Sequence, residues 1–270
     1  LHLSGSGWLQ VGQGTVVAAT NHLALHLDKT DVVTGNSALG TLESAYVMSL
    51  SLADASLFLG VGGSLSSDQT QAQAAEGAVG FLAQGASLAM ATVSKGGTSF
   101  TGVQAGLKNA ALLGVPGLDL QVTNAQVRVN ATTGAAGQRI DWDSATTVPS
   151  TPSNLLPTLD LDKTQQLSVR GSASLNLGEG VVVAVVNGFA MEMTRADVVT
   201  GNDALGTLGT LQAANVLSMS LSDASLFVGV GGAFNDDRSG VQAGAGAVGF
   251  LAQGASLSLA TVGKGTGSFT

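Results

Sequence analysis

The 270-residue chain contains no cysteine, which excludes disulfides, thiol nucleophiles and cysteine-based zinc sites while leaving the compartment open. Charge is also scarce. Lys plus Arg number 10 against 18 Asp plus Glu, a net charge of -8, and no basic run exists to track a phosphate backbone or an anionic membrane. Nucleic-acid binding is therefore not expected. No apolar run reaches the roughly 18 to 20 residues of a membrane helix, because Gly, Ser, Asn, Asp or Gln interrupts each one. With one Tyr and two Trp, the chain lacks both the aromatic girdles of a transmembrane barrel and a stacking cleft for sugar rings. Residues Leu1 to Gly14 hold no basic stretch followed by an apolar one, so no signal peptide is expected there.

What fills the chain instead is Gly (38 residues), Ala, Ser, Thr, Leu and Val, arranged in a long internal repeat. TDVVTGNSALG at 30–40 returns as ADVVTGNDALG at 196–206, and the match runs from Leu1/Leu167 to Thr101/Thr270 at an offset of about 166, rising to about 169 after an insertion near Gly209–Gln212. Three segments follow: a first repeat at 1–133, a turn-rich excursion or connection at 134–166 holding most of the prolines, and a second repeat at 167–270.

Substitutions between the copies expose a period of two. Leu23, Leu25 and Leu27 become Phe189, Met191 and Met193, while His22, His26 and Asp28 between them become Gly188, Glu192 and Thr194. Alternation of this kind marks β-strands. The same pattern nominates Leu57, Leu59 and Val61, with Leu226, Val228 and Val230, as further structural core. Small corners near Gly5, Asn21, Asp54, Gly85, Asn124, Gly171, Asn187, Asp223 and Gly254 shift the parity. Their spacing suggests units of roughly 16 and 33 residues, about five coils to a period. The leading expectation is an all-β, parallel β-solenoid (β-helix-like) built from tandem repeats; the alternative is a row of antiparallel β-sandwich domains.

Candidate chemistry is sparse. His22 and His26 have the i, i+4 spacing of a zinc pair on a helix, but on a strand they share one face, and neither recurs in the second copy. Recurring Asp, Asn and Gly residues read first as turn chemistry. The competing reading is calcium, carried by Asp197, Asn202 and Asp203 around TGNDALG at 200–206. GVGGS and SKGGTS lack phosphate-loop spacing and read as turns or tight-packing positions, and no GxSxG elbow is present. No catalytic residue, cofactor site or enzyme activity is expected. Asn130-Ala-Thr132 matches a glycosylation acceptor.

LSDASLFVGVGG, LLGVPGLDLQVTNAQVRVN, IDWDS and LSVRGSASLNL resemble the tandem-repeat arrays of giant secreted or surface, adhesin-like proteins of Gram-negative bacteria. The resemblance spans essentially the whole chain and implies export, great length and a structural or adhesive role. The expected function is thus a structural segment of an extracellular or cell-surface protein, forming a rod, fibre or biofilm-matrix filament. An adhesin stalk displaying a binding domain elsewhere, and a calcium-stabilised secreted module, are the alternatives. Expected partners are further copies of the repeat end to end and a surface or matrix polysaccharide.

Overall fold

The structure, a computed structural model, describes residues 1–134, 137–148, 154–201, 209–264 and 267–269. Among these the chain is all-β and forms twelve strands: β1 (His2–Val11), β2 (Val16–Val33), β3 (Thr41–Leu65), β4 (Ala72–Lys95), β5 (Thr98–Leu113), β6 (Leu118–Thr132), β7 (Thr146–Val148), β8 (Gln165–Leu177), β9 (Val182–Val199), β10 (Thr210–Phe234), β11 (Val241–Lys264) and β12 (Gly267–Phe269). They make one open sheet in the order β1-β2-β3-β4-β5-β6-β8-β9-β10-β11-β12, with β7 added to the edge of β2.

Every pairing is antiparallel, which overturns the parallel solenoid. The reason is local. Gly96 and Gly97, at φ +58° and +81°, close a two-residue hairpin between Lys95 and Thr98. Two consecutive left-handed residues suit that turn, whereas a parallel neighbour needs a crossover of about a dozen residues or more. The antiparallel pairing accords with the alternative expectation, here with both copies in a single sheet. One period contributes six strands to the path of the sheet, β1 to β6, with β7 at its edge, rather than five coils, because β8 repeats β1 and β9, β10 and β11 repeat β2, β3 and β4.

The corners are β-bulges. Asp54, Asn124 and Asp223 adopt φ of 49°, 51° and 49°, and pairing slips beside them, at Leu52/Ala55, Thr123/Gln126 and Leu221/Ala224. An extra residue bends the strand and keeps each apolar set on its own face, so the parity change read in the sequence is the mark of these bulges.

Three apolar clusters are buried on one face. The first gathers Val32, Val47, Val93 and Phe100 from the sheet with Ile140, Trp142, Leu156, Leu159 and Leu161 from the 134–166 segment, which lies across them. The second, around Val17, Phe58, Ala72 and Ala78, sits under the tip of the β3–β4 hairpin; the third, around Val183, Val185, Phe227 and Val241, is its counterpart in β9–β11. Both tips use glycine for close approach. A Cβ at Gly63 or Gly80 would run into the Phe58 ring, and one at Gly232 or Gly249 into Phe227.

Burial corrects the expected core. Leu23, Leu25, Leu57, Phe189, Met191 and Met193 are only half-buried, and Leu27, Leu59, Val61, Leu226, Val228 and Val230 are exposed. All twelve lie on the opposite face of the sheet, in cross-strand rows such as Leu25–Leu50–Met90–Val103–Val129–Leu167–Met193. The alternation was real, but the layers that exclude water cover the other parity, where Val, Ala, Ser and Phe reside.

Candidate functional site

A trough of mixed lining, with Phe189, Met219 and Leu259 beside polar side chains, follows the line of bulges across the central strands. Its largest part, a cavity of about 740 Å³, is lined by Asn124, Arg170, Ser172, Asn187, Glu192 and Ser220 among others. Two neighbouring cavities of about 490 and 450 Å³ share Asn124 with it, one reaching Asp237 and Arg238 and the other Asp54 and Lys108. Small residues open this space: Ser87 pairs with Gly106, and Arg170 with Ala190.

The trough gathers acids and bases from separate strands; Arg170 and Glu192 meet within it, while Asn187 and Arg238 reach acids beside it. Arg170 Nη2 lies 2.7 Å from Glu192 Oε1, Asn187 Nδ2 donates to Asp223 Oδ2 at 2.8 Å, and Arg238 pairs with Asp119. Ser172 Oγ donates to the carbonyl of Asn187 rather than to a base. Such an arrangement can exchange hydrogen bonds with a polar chain laid along the corners.

No histidine lines these three cavities, and His22 reaches only Asp54 at the edge of one of them. His2 and His26 come together as cross-strand partners with ring centroids 4.4 Å apart, and exposed His22 lies 3.7 Å from Asp54, so the i, i+4 pair is not brought together. Among the described residues no three His, Asp or Glu converge. Asp197 accepts the backbone N–H of Ala213 at 2.6 Å, as Asp31 accepts that of Ser44, and both donors are left-handed at φ 48° and 50°. That is the turn role. Asn202 and Asp203 lie outside the described residues.

Turn carboxylates also show the clearest electrostatic tuning. Hydrogen bonds from the Ser66 and Thr70 hydroxyls and the Thr70 amide hold Asp68 down at about 2, and Ser239 lowers its counterpart Asp237 in the same way. For Asp162 burial opposes ionisation, but the Thr164 hydroxyl with the Thr164 and Gln165 amides prevails, leaving it below the usual range.

Sequence reasoning missed the groups that hold the 134–166 segment in place. Asn130 is 2% exposed and is no glycan acceptor in the folded chain: its Nδ2 donates to Ile140 O and Asp162 O, both at 2.9 Å. Arg128 pairs with Asp160 at 2.5 Å, Gln104 Oε1 accepts the Asp160 amide at 3.0 Å, and Ser49 Oγ donates to Leu155 O at 2.7 Å. The signal available was that 134–166 is the one stretch rich in proline and carries Trp142. No protein family, curated protein or solved structure matches this chain.

Proposed function

We propose that this chain is a structural segment of a long, extracellular or cell-surface repeat protein, in which successive repeats extend one antiparallel sheet into a rod or matrix filament. The observation that carries this reading is the junction between copies. The last strand of the first period, β6, pairs directly with β8, the first strand of the second, from Leu118↔Leu177 to Val129↔Leu167. Each copy therefore enters the sheet where the previous one leaves it. A period adds six strands, roughly 28 Å of rod at about 4.7 to 4.8 Å per strand.

Stability in such a rod comes from stacked aliphatic rows and a continuous ladder of backbone hydrogen bonds. The role is mechanical, with no reaction assigned to the trough. Electron microscopy of the native protein with oriented-fibre diffraction tests it. The expected result is a thin rod with a spacing of about 4.7 to 4.8 Å and a period of roughly 28 Å along its axis. Compact particles without that axial order would overturn it.

A further inference from the structure

We infer that the face of the second copy formed by Val198, Val216, Ala260 and Val262 is a docking surface for a polypeptide segment with the chemistry of residues 138–163, supplied by a further repeat of the same kind. This rests on the repeat-array reading for its source. The surface itself rests on what covers its twin.

In the first copy the corresponding residues, Val32, Val47, Ala91 and Val93, are 0 to 2% exposed, because Ile140, Trp142, Leu156, Leu159 and Leu161 lie over them. In the second copy the same four side chains occur at the same places on the same strands, yet Ala260 is exposed and Val198, Val216 and Val262 are only half-buried. Ala214, like Ala45, is already covered. The edge beside the patch is open too: β7 pairs with Asp31–Val33, leaving Val33 39% exposed, whereas Val199 is 76% exposed.

Among the described residues three bonds of the frame around the patch recur, so that part of the surface exists before anything docks. Asp31 and Asp197 each cap a left-handed residue at 2.6 Å. Thr34 Oγ1 donates to Gly40 O at 2.7 Å and Thr200 Oγ1 to Gly209 O at 2.9 Å. Lys95 donates to the Glu43 carbonyl and Lys264 to that of Gln212. Ser49, whose hydroxyl holds Leu155 O, has Ser218 as its counterpart. Other contacts of the first copy are not repeated: Thr30, which donates to Val148 O, is replaced by Ala196, and Gln104, Arg128 and Asn130, which hold Asp160, Ile140, Trp142 and Asp162, have no counterparts in residues 167–270.

A fluorescently labelled peptide of residues 138–163 titrated into the intact chain tests this. Expected are saturable binding, new amide protection over Asp197–Val199 and around Val216 in hydrogen exchange, and affinity at least about tenfold weaker in Ala260→Asp, where a charge would be buried under the peptide. Because Ala260 is exposed, that variant keeps the fold, which an unchanged melting curve verifies; Val216→Ala gives a milder second readout. No saturable binding, binding indifferent to Ala260→Asp, or protection confined to Asp31–Val33 would each overturn the assignment. Rods without peptide binding would sink this inference alone, and peptide binding by a chain that forms no rods would sink the array while leaving the surface.

Discussion

Trp142 donates its indole N–H to the side-chain oxygen of Asn130, 3.0 Å away and fully out of water, while the same carboxamide donates to the carbonyls of Ile140 and Asp162. One side chain on β6 thus satisfies three polar groups of the covering segment. Asn130→Ala strands a buried donor and two buried acceptors, each costing about 1 to 3 kcal/mol. The expected outcome is a loss of about 3 kcal/mol in urea unfolding, with Trp142 fluorescence shifted to the red as the segment loosens.

Phe58 and Phe227 close equivalent hairpin tips over glycine. Either one truncated to Ala should cost about 3 to 5 kcal/mol, the range for buried aromatics. The sites lie in separate clusters, so the double variant should show nearly additive losses. Gly63→Val should also destabilise the first tip, since its side chain meets the Phe58 ring. Denaturant melts of the single and double variants check this.

Asp54 and Asp223 occupy left-handed backbone at the bulges. Glycine enters that region without penalty, whereas a β-branched residue pays about 1 to 2 kcal/mol. Asp54→Gly should therefore leave the melting temperature nearly unchanged and Asp54→Val should lower it. Equal effects of the two would show that the bulge is held by side-chain contacts.

Acid should weaken the fold through Asp68, Asp162 and Asp237, whose folded pKa values lie below their ordinary ones. A depressed carboxylate contributes stability above its unfolded pKa and loses it as pH falls toward the folded one. For Asp68 that window runs from the ordinary value of 3.8 down to about 2. The melting temperature should fall across it, and the fall should be shallower in Asp68→Ala, which starts lower but no longer titrates there.

Strands and corners were legible because both are local. Alternation between Leu23, Leu25 and Leu27 needs only a pleat, and Asp54, Gly85 and Asn124 announce left-handed backbone by residue type. Strand direction was legible too, in Gly96–Gly97, but a period of two is identical in parallel and antiparallel sheets, and the expectation followed the period. The trough was not legible. It joins Arg170, Glu192 and Asn187, with Asp223 beside them, from three successive strands, and nothing in the pattern of any one strand marks them.

By itself the sequence determined that the chain is all-β, repeated, bent at small residues and lacking cysteine chemistry, since composition and alternation act within a few residues. Only the tertiary structure decided which face is core. Leu59 and Val61 are as apolar as Val17 and Val47, but burial depends on what lies across a residue. Here that is a folded hairpin tip or the 134–166 segment, brought over the sheet by Asn130, Arg128 and Ser49 from strands distant in sequence.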